Sequence, residues 1–404
     1  MHIGFDISQT GSGKAGCGYF AHALIKAMLE LAPEHRYSLY PSFGDFYLDA
    51  LMPFLNPYAG GHVHYGPRHL SRETARVFWN GPAVESVLNR PDIVHANNFW
   101  CPTQLASSRL IYTFYDMSFA VEPAWTTEAN RVGCFDGVFR SAIAADWVVA
   151  ISEASRVHYL NMFPHFPADR IRVIYPCSRF ADSSAVGKRP KALDDVPVGR
   201  YWLNVGTIEP RKNQRRLVEA YARYLAQGGA PMPLVLAGGK GWLMEDFKKH
   251  LVELGVEAHV MMIGYVSDDE LIWLYRNCCA NLYPSLFEGF GLPVLEGMQF
   301  GAATLASNAT SIPEVAGDAA ILIAPEDTEG WAQAMLRLAG NRLERDRLRD
   351  AAIKQAARFS WEDSANQLLK LYEVAVASPK RSGLGQARCP NETTMNITKG
   401  ASDK

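Results

Sequence analysis

Several signatures that would place this chain in a familiar class are missing from it. The seven cysteines include no C-x-x-C pair, which argues against a zinc site and favours reduced thiols in a cytoplasmic protein. No D-x-D triplet occurs, so the usual acidic clamp for a divalent metal on a diphosphate is missing. No uncharged apolar run reaches about 18 residues, so the sequence predicts no membrane-spanning helix.

Neither sign of charge is in excess. Lysine and arginine number 40 and aspartate and glutamate 42, giving a net charge of −2, which argues against nucleic acid as the main partner. The start, "MHIGFDISQT", lacks the apolar region of a signal peptide and predicts a first strand.

The glycine-rich stretch "SQTGSGKAGCGYF" is not a phosphate loop. That motif needs glycine where Ser8 stands and serine or threonine where Ala15 stands, which excludes a kinase or nucleoside triphosphatase. No acid suited to a dinucleotide site follows at the second strand, and G-x-S-x-G and H-E-x-x-H are absent. We predict a turn at Gly16 and Gly18 that leads into a helix at a domain interface.

What the sequence contains is a regular alternation of apolar runs and helical patterns. The runs predicted as strands are "HIGFDI", "DIVHAN", "RLIYTFY", "DWVVAIS", "IRVIYP", "YWLNVG", "PLVLAGG", "VMMIGYV", "CANLYPS", "ATLAS" and "AILIAP". Runs this uniformly apolar indicate parallel sheets covered by helices. Because 404 residues exceed one ordinary core, we predict an α/β protein with two doubly wound, Rossmann-like domains.

The polar stretch from Ser178 to Arg200 separates these two sets of strands. We predict a first domain over 1–178, a linker over 179–200 and a second domain over 201–358. A final helix over 359–376 precedes a polar tail, 377–404, that we predict to be disordered.

The stretch "SLFEGFGLPVLEGMQFG" places Glu288 and Glu296 on either side of a glycine-rich turn. Pro293 suits the first turn of a helix, and the free amides just before it form an anion and hydroxyl site. Two acids at different depths suit two sets of hydroxyls, a sugar at Glu288 and a ribose at Glu296. The alternative is two solvated glutamates around a helix cap.

The stretch "NVGTIEPRKNQRRLVEAY" predicts a strand that ends near Gly206 and a helix that opens at Pro210. Four cations crowd the first two turns of that helix: Arg211, Lys212, Arg215 and Arg216. Each opposes the helix dipole by about 0.3–1 kcal/mol when exposed. A bound diphosphate would offset this cost, whereas the alternative is a basic surface patch.

The stretch "YTFYDMSF" ends a predicted strand at Tyr115 and Asp116. Polar residues at strand ends line the cleft in such folds, although tyrosine and aspartate are also common in turns.

Together these motifs resemble the retaining GT-B glycosyltransferase family called glycosyl transferases group 1. The resemblance rests on the E-x7-E element from Glu288 to Glu296, on "VGTIEPRKN", on "SIPEVAGDAAILIAPED" and on "FSWEDSANQLLKLYE", which looks like a helix crossing back onto the first domain. "YTFYDMSFAVEPAWTTEANR" resembles the acceptor-side segment of mannosyltransferases of O-antigen and exopolysaccharide assembly.

The resemblance implies a role for each candidate residue. The residues with implied roles are Lys212 and Arg211 at the diphosphate, Glu288 at the transferred sugar with Gly289, Phe290, Gly291 and Leu292 beside it, Glu296 at the ribose, Tyr265 or Val266 at the base, and Gly16 in the cleft. Two positions depart from the family: Thr207 replaces a frequent arginine, and Tyr115 replaces a frequent histidine.

The implied activity is transfer of a hexose, mannose from GDP-mannose, to a lipid-linked oligosaccharide in surface polysaccharide synthesis, without metal or other cofactor. Alternatives are a UDP-sugar donor, a GT-B sugar-nucleotide epimerase and a non-catalytic nucleotide-sugar sensor. A lipid-linked acceptor implies contact with the inner face of the plasma membrane. The residues proposed for that contact are Phe78, Trp79, Phe99, Trp100 and Arg131, for which core packing is the alternative.

Overall fold

A computed structural model describes residues 1–8, 10, 16–40, 61–66, 72–97, 99–181, 183–239 and 244–381. Within these ranges the strands form two sheets, and the paired strands in both are parallel. This confirms the predicted α/β class with two doubly wound sheets.

In the described part of the first half, seven strands lie in the order β3-β2-β1-β4-β5-β6-β7. These strands are β1 His2–Asp6, β2 Arg36–Tyr40, β3 Val63–Tyr65, β4 Ile93–Asn97, β5 Arg109–Phe114, β6 Trp147–Ala150 and β7 Ile171–Val173. The helices are α1 Gly16–Leu31, α2 Arg72–Trp79, α3 Val84–Val87, α4 Ser118–Val121, α5 Glu128–Ala144 and α6 Glu153–Met162.

In the described part of the second half, six strands lie in the order β10-β9-β8-β11-β12-β13. These strands are β8 Trp202–Val205, β9 Leu234–Ala237, β10 Val260–Gly264, β11 Ala280–Tyr283, β12 Thr304–Ser307 and β13 Ile321–Ile323. The helices are α7 Gln214–Ala226, α8 Met244–Glu253, α9 Asp268–Asn277, α10 Leu292–Gln299, α11 Ile312–Ala316, α12 Thr328–Gly340, α13 Arg342–Ala356 and α14 Trp361–Ala377.

The strand orders fix where a ligand site can form. Each order reverses once, between β1 and β4 in the first sheet and between β8 and β11 in the second. Ligands of open α/β sheets bind beyond the carboxyl ends of the strands at such a reversal. The segment with Arg211 and Lys212 follows β8, and the loop with Glu288 follows β11, so the topology brings the two motifs together.

The last helix joins the two halves. Helix α14 packs against α1, and Leu368 and Tyr372 share a hydrophobic core with Phe20 and Leu24 of α1. The Tyr372 hydroxyl lies 2.5 Å from Nδ1 of the buried His95 in β4. No described helix is long and apolar enough to cross a membrane.

Three details differ from the sequence-based prediction. The sequence analysis did not single out β2 and β3, which lie at one side of their sheet, with β3 at its edge. Helix α14 ends at Ala377, and 378–381 then bind the first half: Lys380 Nζ donates to Ser108 O (2.8 Å) and Arg381 Nε to Ala145 O (2.7 Å). The prediction of disorder is therefore wrong for 378–381, because the side chains of Lys380 and Arg381 bind carbonyls of the first half. Residues 382–404 of the predicted tail lie outside the described residues.

Candidate functional site

The predicted helix at Pro210 begins later than expected. Pro210–Lys212 form a 3-10 turn, and Asn213 then has a φ of 60°, so helix α7 starts at Gln214. The Asn213 side chain fixes this break by donating to Pro284 O (3.0 Å) and Pro325 O (2.8 Å).

This break separates the four predicted cations. Arg211 and Lys212 lie on the turn and contact Glu288, whereas Arg215 on α7 is 62% exposed and pairs with Glu219 at 4.0 Å. The prediction that all four lie on one helix is therefore wrong for Arg211 and Lys212, because these two lie on the turn before α7. The aliphatic carbons of Lys212 pass over Gly206.

The Glu288 carboxylate is the centre of the site. Its Oε1 accepts hydrogen bonds from Lys212 Nζ (2.7 Å), Ser285 Oγ (2.6 Å) and the Tyr283 hydroxyl (3.0 Å). Its Oε2 accepts one from Arg211 Nη1 (2.9 Å), which also donates to the carbonyl of Phe287. Tyr283 and Ser285 end the predicted strand "CANLYPS" but were not singled out, although strand ends are where cleft residues occur.

The positive charges around Glu288 determine its protonation state. Burial acts to raise the pKa of Glu288, but the positive charges of Arg211 and Lys212 outweigh this and hold the pKa at about 2. Burial also lowers the pKa of Lys212, which Glu288 opposes. Glu288 is therefore ionised at neutral pH and is poorly suited to act as a general acid or base. It is suited to accept hydrogen bonds from hydroxyl groups.

The loop before α10 is held rigidly. Gly291 has a φ of 109°, in the left-handed region that favours glycine, and α10 starts at Leu292 as predicted. Ser311 Oγ donates to the carbonyls of Glu288 (3.0 Å) and Phe290 (2.9 Å), and the Glu288 amide donates to Thr310 Oγ1 (2.9 Å). These contacts fix the position of the helix terminus next to Glu288.

The first half meets this loop directly. A Cβ at Gly289 would lie 2.6 Å from the carbonyl oxygen of Tyr115, and one at Gly16 would lie 3.7 Å from the Leu292 side chain. Asp116 is close enough to Arg211 to act on its pKa, together with Glu288. Gly16, Asp116 and the backbone carbonyl of Tyr115 thus face the loop of the second half.

Tyr115 points away from this cleft. Its hydroxyl, which has one hydrogen to donate, lies within hydrogen-bonding distance of Asn97 Oδ1 and of the carbonyl of Cys17 (3.2 Å), both within the first half. Burial also raises the pKa of Tyr115 well above its usual value. The hydroxyl therefore holds α1 against β4.

Glu296 lies apart from Glu288 and has its own partner, which the sequence did not reveal. It is buried one turn into α10, with Arg179 Nε 3.2 Å from Oε1 and the Tyr275 hydroxyl 3.5 Å from Oε2. Burial raises the pKa of Glu296 to about 7, although Arg179 acts to lower it. Arg179 stands at the start of the polar predicted linker, where no motif marked it.

The two candidates for the base site follow β10. Tyr265 is 81% exposed and Val266 is half-buried. Burial raises the pKa of Tyr19 in α1, and Tyr265 is near enough to contribute to that increase. The assignment of Tyr265 and Val266 to the base site stays a prediction.

The residues predicted to meet a membrane are mostly in the core. Trp79, Phe99 and Trp100 are buried in the first half, and Arg131 pairs with Glu128 on the same helix. For Trp79, Phe99 and Trp100 the structure therefore favours the core-packing alternative, whereas Phe78 is half-buried. Among the described residues, no cluster of three or more histidine, cysteine, aspartate or glutamate side chains is placed to hold a metal ion.

Solved structures share this architecture. The Anabaena protein HepE, in complex with UDP and glucose, superimposes with a TM-score of 0.67 at 18% identity, covering 93% of this chain and 100% of HepE. WaaG, a glycosyltransferase involved in lipopolysaccharide biosynthesis, gives a TM-score of 0.63 at 14% identity over 93% of this chain and 100% of WaaG. Likeness at this identity shows the fold alone, and it confirms the predicted GT-B architecture.

Curated relatives are closer in sequence. The Escherichia coli O-antigen chain mannosyltransferase B is 34% identical over 292 residues, which make up 70% of this chain and 74% of the relative. The serotype-specific mannosyltransferase WbdA of Escherichia coli is 27% identical over 98% of this chain, which spans 51% of WbdA.

Family models account for both halves. Residues 196–355 match the model of Glycosyl transferases group 1, and residues 17–177 match that of Glycosyltransferase Family 4. With these matches and a relative of this closeness, the chain is a glycosyltransferase that belongs to the glycosyl transferases group 1 family.

Proposed function

We propose that this glycosyltransferase moves mannose from GDP-mannose to a lipid-linked saccharide in the synthesis of a bacterial surface polysaccharide, with retention of configuration and without a metal ion. One relative named as an O-antigen chain mannosyltransferase supports the polysaccharide and the sugar, and one named as a serotype-specific mannosyltransferase supports the sugar. One observation carries the proposed chemistry: Arg211 and Lys212 converge on the ionised Glu288 beside the start of α10.

Arg211 and Lys212 take the place of a metal in this proposal. When the bond between the sugar C1 and the diphosphate oxygen breaks, negative charge develops on the diphosphate. Two fixed cations and the amides at the α10 terminus would stabilise that charge in place. Because these groups are already held by Ser285, Tyr283 and Ser311, little reorganisation is needed.

The acceptor then attacks on the face that the diphosphate leaves. Its hydroxyl oxygen bonds to C1, and its proton passes to the departing diphosphate oxygen. Glu288, with its low pKa, does not take this proton but accepts hydrogen bonds from hydroxyls of the transferred sugar. Glu296 accepts hydrogen bonds from the ribose in the same proposal.

A UDP-sugar is the second candidate donor. The fold is shared with HepE, which was solved with UDP and glucose. A thermal-shift panel of GDP-mannose, GDP, UDP-glucose, UDP-N-acetylglucosamine and TDP-rhamnose separates the two. We expect the largest shift with GDP-mannose, and a larger shift with a UDP-sugar would contradict the proposed donor.

The site assignment is tested by substituting its charged groups. We expect Glu288→Gln and Lys212→Met each to lower the transfer rate by about a hundredfold or more, since each removes a fixed charge from the reacting centre. Both changes keep the side-chain size, and Lys212→Met keeps the aliphatic carbons over Gly206. The measurement is mannose transfer from labelled GDP-mannose, with the unfolding temperature recorded for each variant.

Arg215→Ala is the matched control. Arg215 is a neighbouring cation, but it pairs with Glu219 on the exposed side of α7, so we expect unchanged transfer. Transfer by Glu288→Gln within about threefold of the parent would disprove the site assignment. Loss of activity on chelation of metals would disprove the metal-free mechanism, and release of an epimerised sugar nucleotide without acceptor would indicate the epimerase.

A further inference from the structure

Arg179 makes an unusual set of contacts for a residue between two domains. Its side chain is 18% exposed, with Nε 3.2 Å from Glu296 Oε1 and Nη1 3.5 Å from Asp268 Oδ1. Its guanidinium also lies over the rings of Tyr19 (4.9 Å) and Phe180 (4.7 Å). Two carboxylates and two aromatic rings thus surround the guanidinium, whereas a cation in a linker is usually exposed to solvent.

These contacts belong to different parts of the molecule. Tyr19 lies on α1 in the first half, Asp268 at the start of α9 and Glu296 within α10 in the second half. Arg179 therefore lies in the cleft between the halves, on the same side as Glu296. Its Nε has no aligned hydrogen-bond acceptor among the described residues, so its contact with Glu296 is an ion pair.

We propose that Arg179 is a positioning residue of the donor site, which orients the Glu296 carboxylate and supplies the positive charge that its burial requires. The ligand of this carboxylate is the ribose of the nucleotide, so the inference rests on the proposed function. A carboxylate must be ionised to accept hydrogen bonds from both ribose hydroxyls with its two oxygens.

The surroundings of Glu296 show why a cation is needed there. Among the described residues, the groups that act on its pKa are Arg179, Asp268 and Tyr275. Burial and the charge of Asp268 raise the pKa, whereas Arg179 and the Tyr275 hydrogen bond lower it, and the result is about 7. Without Arg179 the pKa rises further, and at neutral pH the carboxyl is mostly protonated.

Arginine suits this position better than lysine. A planar guanidinium can stack on the rings of Tyr19 and Phe180 while its nitrogens reach two separate carboxylates. A lysine would restore the charge but could not span both acids. Arg179→Lys should therefore recover only part of what Arg179→Gln loses.

The test is nucleotide affinity as a function of pH. GDP and UDP are titrated in parallel by calorimetry between about pH 6 and 9, since both carry the ribose. For the parent, we expect affinity to rise with pH through about 7, where Glu296 ionises. For Arg179→Gln, we expect the midpoint at least about one unit higher, so that binding is about fivefold weaker at pH 7 and recovers towards pH 9.

Two controls isolate the ribose contact. The 2′,3′-dideoxy nucleotides keep the diphosphate but lack both ribose hydroxyls. We therefore expect the parent and Arg179→Gln to bind these nucleotides with the same affinity. Arg276→Gln removes another cation that lies over a ring, that of Phe300 at 5.0 Å, and should leave the pH midpoint unchanged.

Each outcome decides the matter. If Glu296→Gln removes the pH dependence but Arg179→Gln and Arg179→Lys both keep the parent's midpoint, Arg179 is only structural and the inference is wrong. If the parent binds neither GDP nor UDP at any pH, the proposed function fails, and the inference fails with it. If Arg179→Gln does not fold, Arg179→Met, which is also uncharged, takes its place, and a parental midpoint in that variant would overturn the inference.

Discussion

At the residue scale, the absence of a side chain at Gly289 sets how closely the two halves approach. Its Cβ would meet the Tyr115 carbonyl at 2.6 Å and the Asp116 Cβ at 3.1 Å. Because backbone must yield, we expect Gly289→Ala to lower transfer by about tenfold to a hundredfold with little change in unfolding temperature. Gly340→Ala, whose Cβ meets nothing within 4 Å, should keep full activity. Parental turnover in Gly289→Ala would contradict this reading.

At the scale of an element, α14 follows the second half in the chain but packs against α1 of the first half. Leu368 of α14 is fully buried in a core that contains α1, whereas Val374 on the same helix is 46% exposed. We expect Leu368→Ala to lower the free energy of unfolding by about 2–5 kcal/mol, and Val374→Ala by less than about 0.5 kcal/mol. Urea unfolding measures both, and equal effects would disprove the packing role of α14.

At the scale of the whole molecule, Glu314 connects the halves across the cleft. Its carboxylate in α11 accepts from the amides of Glu153 (2.8 Å) and Ala154 (3.0 Å) at the start of α6, and from the Tyr175 hydroxyl (3.1 Å). A charge at a helix N-terminus contributes about 0.3–1 kcal/mol. We therefore expect Glu314→Gln to favour a more open arrangement by up to about fivefold, seen as a larger radius of gyration in solution scattering.

The matched control is Glu329→Gln. Glu329 lies in the first turn of α12, and its partners Arg223, Gln227 and Gln333 all belong to the second half. We expect its scattering curve to match that of the parent. If the curve of Glu314→Gln matches as well, Glu314 does not hold the halves together.

Much of the site could be predicted from local sequence, because the motifs that form the site are continuous stretches of the chain. The glycine-rich loop and the start of α10 depend on neighbouring residues, since Gly291 supplies the left-handed turn and Pro293 suits a first helical turn. The break at Asn213 was missed because it depends on the carbonyls of Pro284 and Pro325, which are distant in sequence.

By itself, the sequence determined the class of fold and the loops that carry the charged groups. Because parallel strands are buried on both faces, their sequences are mainly apolar, as in β1, β4, β6, β8 and β9. Such runs can be recognised from the local sequence. Only the tertiary structure decided which charges meet. The pairing of Arg179 with Glu296, and the inward turn of the Tyr115 hydroxyl, are contacts between segments far apart in the chain. No local pattern records such contacts, because a side chain's partner is set by how whole elements pack together.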